Sequence, residues 1–329
     1  MWERLCSGSL DAKDLRERAL TELRHAVPYD GYVWALTDPI TRVGTAPLAD
    51  IPGLAWSDLP GLIRSRYLAE GTRWTDPGNP SVWRRSESVE VLTTTFADRY
   101  GCWAWLDLWR SIPFTPEEQA FLASIAPLLT TALRQSQAST FAPAQPALSR
   151  ERRPRSSESE GGPAVLLLGA DLQVRVGTPA AREALQRLNP PDDPTVVAQA
   201  IPAAAYNLAA ALIATENGVG VGPPWSRVHL GSGRWITLRA ARTAPDANIA
   251  VTIEESTPAE RLEVFALAHA LTPREREILV QLSTGADSRH IAQRLVLSEH
   301  TVNDHVKAIL AKTGAATRPT LLARVAGTG

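Results

Sequence analysis

Apolar residues recur along this chain with two periods, and the switches between them lay out its elements. A spacing near 3.6 predicts helices over residues 14–27, 62–68, 114–134, 178–188, 203–214 and 258–270. Alternation with period two predicts strands over 32–37, 89–96 and 102–109, and again over 164–168, 172–176, 225–230, 234–239 and 249–254. The strands at 89–96 and 102–109 flank Ala-Asp-Arg-Tyr-Gly and read as a hairpin. Phe-Thr-Pro-Glu-Glu at 114–118 opens the longest helix with a capping signal, and Phe121, Leu122, Ile125, Leu128 and Leu129 form its inner stripe.

Past residue 271 the pattern becomes wholly helical. Thr272-Pro273-Arg274-Glu275 is a second capping box, followed by the stripe Ile278, Leu279 and Leu282 and by Gly285 as a left-handed stop. Asp287 or Ser288 caps a short helix with Ile291, Ala292 and Leu295 inside, and a tight turn at Val296-Leu297 leads to Ser298, the next cap. On the helix it opens, Val302, Val306, Ile309 and Leu310 face inward, while His300, Asn303, Asp304, Lys307 and Ala311 share the outer face. A fourth helix from Thr317, apolar at Leu321, Leu322 and Val325, closes the core. Two short helices joined tightly, the second polar outside, have the helix-turn-helix geometry, in which the second helix enters the major groove of DNA.

Leu-Thr-Pro-Arg-Glu-Arg-Glu-Ile-Leu, then Gly285, Ile291-Ala292, Leu295, and Ser298-x-x-Thr-Val-x-x-His-Val-x-x-Ile resemble the LuxR/NarL-type helix-turn-helix across this whole segment. The resemblance implies that Asn303, Asp304 and Lys307 approach bases or phosphates and that Glu275 belongs to the structural core. With His300, Thr301 and Lys312 these make the candidate DNA-binding set, and double-stranded DNA is the expected partner. Many members carry lysine where Asn303 stands, and Asp304 is an acid facing a polyanion. Asn can read adenine through a bidentate pair, whereas Asp accepts from cytosine and repels phosphate, so the base preference is this chain's own.

Charge sharpens the picture. The whole chain is near balance at −1, so DNA affinity must be local. Between 271 and 325, eight Lys/Arg stand against five Asp/Glu, a net charge of about +3. That modest surplus points to affinity through a homodimer. Cys6 and Cys102 are the two cysteines, too few for a disulfide framework or a four-cysteine zinc site. His300, Asp304 and His305 do not make a metal site, because His305 turns inward and no third ligand is near. No charged leader with an apolar core opens the chain, and no apolar run reaches about 18 residues, so a cytoplasmic protein with no membrane partner is expected.

Upstream, Pro/Ser/Glu-rich sequence at 136–163 reads as a disordered linker. Its arginine run at 150–155 is either solvated or an auxiliary phosphate contact. The linker separates two α+β segments. The run Trp-Arg-x-x-Pro-Phe-Thr-Pro-Glu-Glu-x-x-Phe-Leu-x-x-Ile-Ala resembles the end of a GAF domain, although the stretch between Thr75 and Glu87 is short for one. The order of elements over 164–257 is similar to a PAS domain. The expected organisation is an α+β multidomain chain: a GAF-like sensor at 1–135, the linker at 136–163, a PAS-like α+β domain at 164–257, a connecting helix at 258–270 and an all-α four-helix LuxR-type domain at 271–325.

Eight of the ten tryptophans lie in the first segment. Trp103, Trp105 and Trp109 fall with Asp107 at period two, which predicts one shared strand face. Such a face could hold an aromatic or cationic ligand by stacking and cation–π attraction, or simply be core under a helix. His229, the one histidine of the PAS-like segment, reads as structural. No catalytic constellation is present. The glycines at 218–222 run into Pro223-Pro224 and open no helix, and there is no Gly-Lys-Ser/Thr loop or Gly-x-Ser-x-Gly elbow. The chain is therefore read as a non-enzymatic, cofactor-free transcriptional regulator, sequence-specific and dimeric, whose N-terminal domains answer a small-molecule or protein ligand. The alternative is a protein-interaction or scaffold regulator with a weak or auxiliary DNA domain.

Overall fold

The computed structural model describes residues 1–8, 10–69, 79–86, 89–142, 162–188, 202–219, 222–231, 233–245 and 247–327. The arginine run at 150–155 and part of the glycine stretch at 218–222 lie outside them.

Helices α1 (Trp2–Ser7) and α2 (Ala12–Ala26) open the chain. The Asp11 carboxylate caps α2, accepting from the amides of Lys13 and Asp14 at 2.8 Å. Strands β1 (Gly31–Thr37) and β2 (Gly44–Asp50) follow, then α3 (Leu59–Leu68), β3 (Ser81–Ser86), β4 (Val89–Asp98) and β5 (Gly101–Arg110). These strands form an antiparallel sheet in the order β2-β1-β5-β4-β3. Neither β2 nor β3 was expected from the pattern. Each is an edge strand, and Pro47 in β2 is tolerated there because an edge strand can forgo a ladder donor. Gly31 must lack a side chain, since a Cβ there would sit 2.3 Å from Trp109 Nε1.

The capping box foreseen at Thr115 and Glu118 starts α4 (Pro116–Ser139). With α2 it covers one face of the sheet, burying Leu15, Leu23, Trp34, Phe96, Leu106, Leu108, Leu122 and Leu129. The helix runs past its expected end at 134 because Ser136 is still buried, and beyond it Phe141 stacks on Trp235 at 5.1 Å and meets Phe265 edge-on. The linker start expected at 136 is thus corrected, for residues 136–142 are packed structure.

A second antiparallel sheet combines β6 (Ala164–Leu168), β7 (Val174–Gly177), β8 (Trp225–His229), β9 (Trp235–Arg242) and β10 (Ile249–Glu255), in the order β7-β6-β10-β9-β8. Counted within each sheet, the two orders are identical. Helices α5 (Pro179–Leu188) and α6 (Ala203–Glu216) belong to this part. Every residue of α6 from Ala203 to Ala211 is buried, as expected of a helix apolar on all sides. One flank lies on β9 and β10, the other against α3 and β2.

Helix α7 (Pro258–Ala268), opened by a capping box at Thr257 and Glu260, joins the parts. A fully buried ion pair stands beside it. Asp38, just past β1, accepts from Arg227 of β8 at 2.7 Å, and Arg227 also donates to Glu263 at 2.7 Å and to the Glu260 carbonyl at 3.0 Å. Arg261 of α7 donates to the carbonyls of Val325 and Gly233. No helix among the described residues is long and apolar enough to cross a membrane.

Candidate nucleic-acid interface

The last four helices are α8 (Pro273–Ser283), α9 (Ser288–Leu295), α10 (Glu299–Thr313) and α11 (Arg318–Ala326). Local chemistry sets their ends. Thr272 and Glu275 form the reciprocal box expected, Asp287 caps α9, Ser298 caps α10, and Thr317 caps α11. The α9–α10 turn passes through Val296 in the left-handed region at φ 54°, a strained setting for a β-branched residue. Ile278, Leu279, Ile291, Val302, Val306, Ile309, Leu321 and Val325 meet in one core and hold α9 and α10 in fixed relation.

The packing partners of α10 are α8, α9 and α11, which leaves its outer ridge to solvent. His300, Asp304 and Lys307 stand there at one-turn intervals, with side chains 83%, 52% and 75% exposed. Asp304 lies between the other two, 3.3 Å from His300 Nε2 and 3.2 Å from Lys307 Nζ. Pairs this exposed are worth about 0–1 kcal/mol and rearrange readily. Thr301 is half-buried at the helix start, its hydroxyl 2.8 Å from that of Ser298.

Asn303 differs from its neighbours. It is half-buried, and its Oδ1 accepts from Ser288 Oγ at 2.8 Å and from Arg318 Nη2 at 3.0 Å, while Arg318 also donates to Ser288 Oγ at 2.8 Å. A guanidinium has only donors, so the amide atom facing it must be the oxygen. The node ties the first residues of α9 and α11 to the second turn of α10. Lys312 is not on the outer ridge. It sits against Glu275 at 2.7 Å and donates to the Ala270 carbonyl, binding α10 to α8. Burial alone would raise the Glu275 carboxyl, but the Lys312 ammonium and the Thr272 amide hold it below its usual value. Glu275 is 4% exposed and belongs to the core, as the resemblance implies.

Sequence reasoning missed Ser288 and Arg318, whose roles depend on three helices meeting. It also passed over Arg289 and Arg294, exposed cations on α9. Their position on the outer face of α9 was readable from its period.

The tryptophan set divides. A bulge in β5 opposite Phe96 and Ala97 adds one residue, and Trp103 turns to the face under α4, where it packs with Ala104, Leu106 and Leu108 and donates to Asp98 at 3.2 Å. The single shared face expected for Trp103, Trp105, Asp107 and Trp109 is thereby corrected. Trp105 and Asp107 remain together on the opposite face, and α3 supplies the cation. Arg66 lies 3.4 Å above the Trp105 ring, and its Nε is 2.7 Å from Asp107 Oδ2. Thr93 donates to Asp107 at 2.9 Å. All of these side chains are buried. Among the described residues no cluster of three or more His, Cys, Asp or Glu could hold a metal.

Residues 269–325 match the model of a family described as bacterial regulatory proteins, luxR family. No curated protein matches the chain. Among solved structures, SdiA in complex with octanoyl-rac-glycerol aligns with 100% of this chain and 93% of its own at 14% identity, with a TM-score of 0.32.

Proposed function

We propose that residues 269–325, which match the luxR family of bacterial regulatory proteins, form a DNA-binding domain, and that the chain is a transcriptional regulator that binds specific duplex sequences as a homodimer in the cytoplasm, under control of its N-terminal domains. The observation that carries this is the α10 ridge: His300, Asp304 and Lys307 are exposed along a helix whose packing partners lie within its own domain. Arg289 and Arg294, exposed on α9, would supply phosphate contacts while α10 lies in the groove. Five-stranded antiparallel sheets flanked by helices support reading 1–135 as a GAF-like and 164–257 as a PAS-like α+β module. A ligand at the face of Trp105, Asp107 and Trp109 would have to displace Arg66. Such a displacement would move α3 against α6 and, through the Asp38–Arg227–Glu263 junction, bias the population of the binding-competent dimer.

Fluorescence anisotropy of the full chain on duplexes selected from genomic DNA tests the DNA assignment. Affinity falls steeply with salt, and Lys307→Ala lowers the log–log slope by about one unit. Unchanged affinity and slope in Lys307→Ala would refute the placing of this ridge on DNA, and would favour a scaffold protein with an auxiliary DNA domain.

A further inference from the structure

We propose that Asp304 and Lys307, and not Asn303, set the base preference of this domain, and that Asn303 with Ser288 and Arg318 is a clamp that docks α10 on α9 and α11 without reading bases. The proposal rests on the reading of α10 as the DNA-contacting helix. To read adenine, an asparagine must accept from N6 with Oδ1 and donate to N7 with Nδ2. In this chain Oδ1 already accepts two hydrogen bonds, one of them from a guanidinium and therefore strengthened by charge. Asn303 keeps only its amide protons for DNA, and those alone cannot complete the adenine pair.

The ridge beside it offers a different code. Asp304 is an acceptor only and Lys307 a donor only, with their charged atoms 3.2 Å apart. In the major groove a G·C pair shows the complementary arrangement, the O6 acceptor of guanine next to the N4 donor of cytosine. An A·T pair also sets an acceptor, thymine O4, beside a donor, adenine N6, but adenine N7 flanks that donor on its other side and repels a carboxylate, whereas the other side of cytosine N4 is a C–H. Exchanging the exposed Asp304–Lys307 pair for contacts to one G·C pair leaves both charges satisfied. The partner is B-form DNA whose half-site holds a G·C pair in fixed register under these two residues.

Selection of randomised duplexes by the full chain tests this, with wild type, Asp304→Ala, Asn303→Ala and Ser288→Ala compared at matched helicity. Wild type enriches one fixed G·C pair per half-site, and Asp304→Ala lowers discrimination at that position by about fivefold or more. Ser288→Ala, which breaks the clamp without touching the α10 ridge, and Asn303→Ala both weaken binding to all sequences alike and keep the preference. A base profile unchanged in Asp304→Ala, or relaxed at one position in Asn303→Ala but not in Ser288→Ala, would overturn the proposal. Enrichment of no sequence by wild type would overturn sequence-specific reading itself, and the proposal with it; retained, salt-sensitive binding would mark that separate failure.

Discussion

The first sheet of this protein places an ion pair beneath α3, whereas the second, with the same strand order, lies beneath α6, a helix built mostly of alanine, leucine and isoleucine. In the first, Arg66 and Asp107 are taken out of water between Trp105 and the strand β4. Burying such a pair costs several kcal/mol per ion before the mutual attraction returns it, so stability alone does not account for its presence. In the second, small side chains let α6 lie close on β9 and β10 while its other flank meets α3. One topology therefore carries a buried polar cluster in one copy and a close-packed connector in the other.

The largest test of that contrast is Asp107→Ala, expected to cost about 3–5 kcal/mol in urea unfolding because Arg66 is left charged and buried. Arg66→Met with Asp107→Leu should recover most of it. A cost under about 1 kcal/mol for Asp107→Ala would mean that the first sheet does not depend on its ion pair. On the second sheet the counterpart is Ala209→Leu. The site is fully buried, so overpacking should lower stability by about 1–3 kcal/mol, and full stability would show that α6 is not close-packed.

A third test concerns pH. Burial, and then the charge of Arg261, push His229 of β8 down to about 4. Folding thus favours its neutral form. The corresponding stability is complete above the unfolded value near 6.5 and is lost as pH falls toward 4, by about 1.4 kcal/mol per pH unit. Unfolding followed at pH 7.5, 6 and 5 should show this slope, and His229→Leu should reduce it. His269 is also pushed by burial to about 4 and will retain its own share.

What was legible in the chain was local. The boxes at Thr115–Glu118 and Thr272–Glu275 announce their helices within four residues, and the period of α10 separates Val302 and Val306 from Asp304 and Lys307. What escaped depends on partners far away. Strand β2 has little alternation and exists because β1 pairs with it; Arg16 of α2 further ties the two, donating to the Trp34 and Ala46 carbonyls at 2.8 Å. The bulge that turns Trp103 over is a feature of the β4–β5 ladder, and period two in a single strand carries no trace of it. Lys312 shared the basic character of Lys307, but Glu275, 37 residues earlier, claims its ammonium. Asn303 likewise reads as a groove-facing polar residue until Arg318 is brought beside it.

The Asp38–Arg227–Glu263 junction bears on how this chain can be recombined. A chimera cut at the start of α7, as modular architecture would invite, separates Glu263 from Arg227; a cut before β6 strips Asp38 of its counter-ion altogether. Recombining this chain therefore requires carrying the three residues as one inherited unit, so that the breakpoints tolerated by grafting lie elsewhere than the apparent domain borders.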